Sequence, residues 1–146
     1  YLAVKVDDPI HMQRQKPTEF WRDDCLQFVL SHESGDGYLK EAGKAPKSEF
    51  NYAVALTAQG TKLSKLLGND RGLKEYPAKV TRKGNTTFYE VAIPWKAIGG
   101  KARRFGFVVF NNNWSTKASA PYYLYFTEGV ASGTDDTKLK ALDYAR

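Results

Sequence analysis

Cysteine, histidine and methionine are all scarce in this chain, and it contains no long apolar run. Its 146 residues include one cysteine, two histidines and one methionine. A single cysteine, Cys25, excludes an internal disulfide and any zinc site built from several cysteines. Because Cys25 lies within an apolar segment, we expect a buried and unreactive thiol. No stretch approaches the ~20 apolar residues of a transmembrane helix, so the sequence predicts no membrane span.

Enzyme motifs are also lacking. The chain contains no G-x-S-x-G, H-E-x-x-H, P-loop or G-x-G-x-x-G pattern. His11 and His32 stand beside carboxylates, but two histidines in loops are a thin basis for catalysis. A glycosidase needs only two carboxylates, which leaves that alternative formally open. The sequence nevertheless favours a protein that is not an enzyme.

The positive charge is spread along the chain. The sequence has 22 Lys and Arg against 16 Asp and Glu, a net charge of +6, and Arg103-Arg104 is an isolated basic pair. Nucleic-acid-binding proteins more often concentrate basic residues on one element, so a nucleic-acid partner is not expected. The charge indicates a mild preference for anionic partners, acidic polysaccharides included.

What the chain does contain is strand-like alternation, with 14% aromatic residues. Seven segments alternate or are apolar throughout, and they are predicted to be strands: 1–6, 25–31, 50–57, 77–83, 86–93, 105–111 and 121–128. Short helical turns are expected at 95–98 and within 61–68. This pattern predicts an all-β, antiparallel β-sandwich in a single domain, 1–146. Its predicted core consists of Val4, Phe28, Leu30, Val54, Val91, Ile93, Phe107 and Val109.

Four segments follow one another in a specific order: YLAVKVDD, FWRDDCLQFVL, FYEVAIPWKAIG and FGFVVFNNNW. In this order they resemble carbohydrate-binding module family 9, a group of jelly-roll-like β-sandwiches attached to polysaccharide-degrading enzymes. The resemblance covers about residues 1 to 143, and its most specific parts are W-x-x-D-x-apolar-Q (21–27) and Y-E-x-x-I-P-W (89–95). Family members usually have further strands before YLAVKV. The chain is therefore expected to be a piece of a larger protein whose first strands are truncated or supplied elsewhere.

The resemblance implies a non-catalytic module that binds a mono-, oligo- or polysaccharide. It also implies a host with other domains, located outside the cytoplasm as a secreted, periplasmic or cell-surface protein. Trp21, in the polar segment PTEFWRDD, is the expected platform for a sugar ring. The alternative is a core tryptophan at the mouth of a strand. Gln27 stands where the family often has an acidic residue, and its amide can both donate and accept hydrogen bonds to sugar hydroxyls.

A second group of candidates follows the apolar segment 105–111. Asn111 and Asn113 offer amides, and Trp114 offers an indole that could clamp a sugar together with Trp21, with Tyr125 as a substitute. The alternative is a turn that is rich in Asn for backbone reasons alone.

Three further expectations concern Ca²⁺, Trp95 and haem. The family often carries structural Ca²⁺, for which Asp7, Asp8 and Asp24 are candidate ligands, although no Asp-x-Asp-x-Asp spacing is present. Trp95 follows Pro94 and is expected to plug one end of the sandwich. A related sandwich class binds haem, and the adjacent His11 and Met12 suit one axial ligand but not two opposite ones. A ligand-free structural domain remains a further alternative.

Overall fold

A computed structural model describes residues 1–32, 49–111, 122–131 and 138–144. These residues form ten strands and two short 3-10 helices, which confirms the all-β prediction. The strands are β1 (Leu2–Asp7), β2 (Cys25–Ser31), β3 (Glu49–Thr57), β4 (Gly60–Lys65), β5 (Gly72–Leu73), β6 (Ala78–Lys83), β7 (Thr86–Val91), β8 (Arg104–Asn111), β9 (Tyr122–Tyr125) and β10 (Lys140–Ala141). The first helical turn is Pro17–Arg22 and the second is Trp95–Ile98.

The strands form two antiparallel sheets of unequal size. The small sheet has three strands in the order β1-β7-β6. The large sheet has seven, in the order β10-β8-β2-β3-β4-β5, with β9 paired to β8 as well. Within the described part of the chain, β1 pairs with β7 alone. The sandwich prediction is confirmed.

One expected helical turn is in fact a strand. Residues 60–65 form β4, which pairs with β3 through the register Val54↔Leu63. A tight turn joins the two strands, since Gly60 takes a positive φ of 89° and the Thr57 hydroxyl donates to the Gly60 carbonyl at 2.9 Å. Leu63 points into the core between the sheets, whereas Leu66 and Leu67 follow the strand and pack in a second apolar cluster.

The core between the sheets agrees with the prediction. Five of the predicted residues are buried: Phe28, Leu30, Val54, Val91 and Val109. The other three, Val4, Ile93 and Phe107, are partly buried and pack against the same cluster.

Much of the outer face of the large sheet is also buried. A second apolar cluster covers it and includes Phe20, Cys25, Val29, Val108 and Val130. Cys25 has no exposed surface, and this burial raises the pKa of its thiol well above the ordinary value, as do the nearby Asp24 and Asp23. Gly106 lets the covering segment approach closely, because a Cβ there would lie 2.7 Å from the Leu139 side chain. The large sheet therefore has apolar clusters on both of its faces. A polar side chain on this sheet must either find a hydrogen-bond partner in a cluster or lie at an uncovered part of the outer face.

Candidate functional site

Trp21 lies on the first helical turn, at the end of the sandwich where β2 begins. Its neighbour Phe20 anchors the turn in the outer apolar cluster, with 1% of its surface exposed. Trp21 itself is 39% exposed, and the Arg22 guanidinium lies 5.2 Å from the centre of its ring. The buried Phe20 side chain thus fixes the turn, and the Trp21 indole lies at the surface.

Two buried carboxylates hold the segment that packs against this turn. The Asp24 carboxylate accepts the Met12 backbone N–H at 2.7 Å, and the Asp23 carboxylate accepts that of Arg14 at 3.0 Å. Gln13 completes the arrangement, since its side-chain amide donates to the carbonyls of Phe20 and Asp24. Each interaction satisfies a buried polar group, so the segment and the turn form a fixed support for Trp21.

Gln27 lies on the outer face of the large sheet and is only 5% exposed. Its amide donates to the Asn51 side-chain oxygen at 3.0 Å and to the Val130 carbonyl at 3.3 Å. Asn51 was missed by the sequence reasoning, although an asparagine in the otherwise apolar segment FNYAVALT was a usable signal. Together these residues form a buried amide pair beneath the segment that contains Val130.

The remaining sugar-binding candidates are divided between the two faces of the large sheet. Tyr125 is opposite Val108, as is Gln27 on the other side of β8, so both lie on the outer face. Asn111 is three residues beyond Val108 and therefore lies on the opposite face. Asn113 and Trp114 are outside the described residues.

Tyr125 and Asn111 also differ in their surroundings. Tyr125 is 50% exposed, and its ring centre is 5.8 Å from that of Tyr123. The Asn111 side-chain oxygen is buried and has no hydrogen-bond partner among the described residues. Tyr125 is thus the more accessible of the two.

The three candidate calcium ligands each bind a different partner in the protein. Asp7 accepts the Thr86 hydroxyl at 2.6 Å and lies 3.5 Å from the Lys5 ammonium, and these two contacts lower its pKa. Asp8 accepts the Ile10 backbone N–H at 3.0 Å, while Asp24 is engaged as described above. Within the described ranges no three His, Cys, Asp or Glu side chains are grouped to hold a metal ion. Structural calcium remains a prediction.

His11 and Met12 are likewise engaged with the protein. The His11 Nε2 is 3.0 Å from the Leu56 carbonyl, and its Nδ1 is 3.6 Å from the Asp24 carboxylate. The Met12 sulfur accepts the Arg14 guanidinium at 2.9 Å. Both ring nitrogens of His11 face protein oxygens, an arrangement that does not favour haem ligation.

Trp95 lies at the opposite end of the sandwich. Pro94 precedes the second helical turn, and Gly99 ends it with a left-handed φ of 79°. The indole is 36% exposed and packs edge-on against Tyr144, with ring centres 6.0 Å apart. The expectation of a buried plug is wrong in this respect, because Trp95 borders an apolar pocket instead of filling it.

Comparisons with known proteins add no support to the resemblance to carbohydrate-binding module family 9, which depends on the four sequence motifs alone. No family model, no curated protein and no solved structure matches this chain. In the described part of the chain, no helix has the length and apolar character needed to cross a membrane.

Proposed function

We propose that this chain is a non-catalytic carbohydrate-binding module of a secreted, periplasmic or cell-surface protein that acts on polysaccharides. Its site centres on Trp21. The observation that carries the proposal is that the Trp21 indole is 39% exposed on a short turn. The buried Phe20 side chain anchors this turn, and the Gln13 amide donates a hydrogen bond to the Phe20 carbonyl. The order of the four motifs, as they stand in the sequence, supports the same assignment.

Stacking is the interaction that Trp21 offers. One face of a pyranose ring carries C–H groups that fit the negative π face of an indole, and the flat contact excludes water. Arg22 lies against the ring, and its guanidinium is also 3.7 Å from the Glu19 carboxylate, which offsets its charge. Any preference for a sugar that bears a carboxylate or sulfate therefore rests on the net charge of +6 of the whole chain and not on a positive charge at this turn.

Tyr125 and Asn111 are secondary candidates. Tyr125 is half exposed on the outer face of the large sheet and can contact a neighbouring sugar residue. Asn111 stands at the end of β8, and its buried oxygen would accept a hydrogen bond from a ligand that reached it. Neither has the rigid support that surrounds Trp21.

Gln27 has a different role in this proposal from the one that the resemblance implies. Direct contact with a sugar would require the segment at Val130 to move, because that carbonyl accepts from the Gln27 amide. We therefore assign Gln27 and Asn51 to support of the sheet beneath the site. Substitution of Gln27 or Asn51 should lower the stability of the fold more than it lowers the affinity for sugar.

The non-catalytic assignment draws on the acidic residues near Trp21. Asp23 and Asp24 are both buried, and each accepts a backbone N–H from the preceding segment. Carboxylates committed to the fold in this way are poor candidates for a catalytic acid and base, which must reach the scissile bond.

Titration with sugars tests the proposal. A panel of neutral and acidic mono- and oligosaccharides would be added to the protein while heat and tryptophan fluorescence are recorded. Trp21→Ala should abolish or strongly weaken binding, whereas the matched variant Trp95→Phe should bind normally. If no sugar in the panel binds at millimolar concentration, the second candidate, a ligand-free structural domain, replaces the first. The burial of the Gln27 amide is the observation that favours this second candidate.

A further inference from the structure

An apolar pocket of about 270 Å³ opens between the two sheets, at the end of the sandwich far from Trp21. Its floor is formed by core side chains of both sheets, Phe28, Leu30 and Val91, each less than 10% exposed. Trp95 and Tyr144 stand at its rim. The pocket lies where the beginning of β1, with Tyr1 and Leu2, faces Phe105 at the start of β8.

The lining is unsuited to a sugar. All of the lining side chains are aliphatic or aromatic, and both tyrosine hydroxyls among them are already used. Tyr144 donates to the Ala102 carbonyl at 2.6 Å, and Tyr1 donates to the Glu90 carboxylate. Each sugar hydroxyl placed here would lose its hydrogen bonds to water without replacement, which is unfavourable. An apolar ligand has no such cost and gains from the area it buries.

The size and shape of the pocket suit a body of about two fused rings. A dry apolar cavity of roughly 150 Å³ binds benzene, so this larger pocket has room for a bicyclic aromatic. Trp95 and Tyr144, both at the rim, are nearly perpendicular to each other, at 86°. Edge-to-face and offset stacking are the favourable arrangements for aromatic groups.

An exposed lysine lies against the rim, and the exposed Asp143 stands between the lining residues Leu142 and Tyr144 in the sequence. The Lys101 ammonium lies 5.1 Å from the centre of the Tyr144 ring, and Lys101 is exposed. Glu90 is the nearest acidic residue on β7, but it alternates with the lining residue Val91, so it points to the other face of the small sheet. Its carboxylate accepts the Tyr1 hydroxyl. A ligand entering the pocket would thus meet a cation at the mouth and no polar side chain at the floor.

We propose that this pocket binds a small apolar carboxylic acid, with an aromatic body of about two rings held between the sheets and its carboxylate directed at Lys101. The site is separate from the sugar site and does not depend on it. Trp95 forms one wall, which gives a reason for an exposed tryptophan at a position that core packing alone leaves one-third open.

The probe for this proposal is 2-naphthoate, titrated calorimetrically into the full chain, with the neutral 2-naphthalenemethanol as a comparison. We expect saturable binding of one equivalent of each compound, with the acid bound about two- to fivefold more tightly, the contribution of one exposed ion pair. Sugars that bind at Trp21 should not compete with either compound. Failure of both compounds to bind at millimolar concentration would overturn the proposal.

Three variants separate the pocket from non-specific adsorption. Leu142→Trp would fill the pocket from its partly exposed side and should reduce the affinity for both compounds at least tenfold. Lys101→Gln should remove the preference for the acid and leave the affinity for the alcohol unchanged. Lys83→Gln makes the same change of charge at the other end of the small sheet and should change neither. Equal affinity in Leu142→Trp and the native protein, or equal effects of the two lysine variants, would contradict the assignment.

Discussion

Trp21 and Trp95 are exposed to nearly the same extent, 39% and 36%, but their surroundings differ. Trp21 precedes β2, lies beside Arg22 and rests on a segment held by buried carboxylates. Trp95 lies at the end of the sandwich where β2 stops, against Tyr144 and over an apolar pocket. One strand therefore connects a polar end of the sandwich to an apolar end.

This difference shows that the exposed fraction of a tryptophan does not identify its ligand. The neighbours decide, because a sugar needs partners for its hydroxyls whereas an apolar body needs a dry surface. The Trp21 end has an exposed indole beside the charged side chain of Arg22, and the Trp95 end offers aliphatic and aromatic carbon. We therefore assign different ligand classes to the two ends.

The largest expected effect separates the two ends by stability. Trp95→Ala should lower the free energy of unfolding by about 2–3 kcal/mol, less than the ~3–5 kcal/mol of a fully buried tryptophan because one-third of the indole is already exposed. Trp21→Ala should lower it by about 1 kcal/mol, since Trp95 contacts the apolar pocket between the sheets and Trp21 does not. Urea unfolding of both variants measures the difference. Equal losses would remove the structural distinction between the ends.

The next effect concerns affinity. If Trp21 stacks on a sugar ring, Trp21→Ala should weaken binding about thirtyfold, which corresponds to ~2 kcal/mol. Calorimetry with a sugar that the native protein binds measures it, with Trp95→Phe as the matched control. Unchanged affinity in Trp21→Ala would move the site to another aromatic residue, with Tyr125 the first to be tested among the described ones.

A smaller effect is expected beneath the Trp21 end, at the buried amide pair. Gln27→Met removes the hydrogen bond that the Asn51 side-chain oxygen accepts and should lower the free energy of unfolding by about 1–2 kcal/mol. Because the two side chains contact each other, the double variant with Asn51→Leu should be more stable than the sum of the two single changes predicts. A purely additive result would mean that the two amides are not coupled, and a selective loss of sugar binding would return Gln27 to the site.

Much of the fold could be predicted from the sequence, since the period-two alternation of strands such as LAVKVD and TTFYEV is a local signal. The strand β4 was missed because Leu63, Leu66 and Leu67 also match a helical spacing. Nothing local to that segment reveals its pairing with β3, although Gly60 marks the turn.

The site was harder to predict because its geometry depends on contacts between distant segments. Gln27 looked accessible in the sequence, and the residue that covers it, Val130, is 103 positions away. The apolar pocket was not foreseen, because its lining comes from segments as distant in sequence as Tyr1 and Tyr144 and not from any motif. Trp95 was correctly placed after a core strand, but whether it fills or borders a cavity depends on these distant segments.

The smallest expected effect on the free energy of unfolding lies in the loop before β5. A difference in stability between Trp21→Ala and Trp95→Ala is meaningful only if it is larger than this effect. The Asp70 carboxylate is 2.6 Å from the Lys65 ammonium and 3.4 Å from that of Lys74, and the hydrogen bond from Lys65 is the main cause of its lowered pKa. A pKa that is lower in the folded than in the unfolded state stabilises the fold above the unfolded value of about 4, and this contribution is lost as the pH falls through the folded pKa. Asp70→Asn should therefore reduce stability at pH 7 by less than ~1 kcal/mol, because the carboxylate is 61% exposed and screened by solvent.

Two conditions test whether this effect comes from charge. The variant and the native protein should unfold at the same urea concentration near pH 2, and 1 M salt should narrow the gap in stability between them at pH 7. A gap that persisted at pH 2 would show that the substitution acts through packing or backbone hydrogen bonds and not through charge.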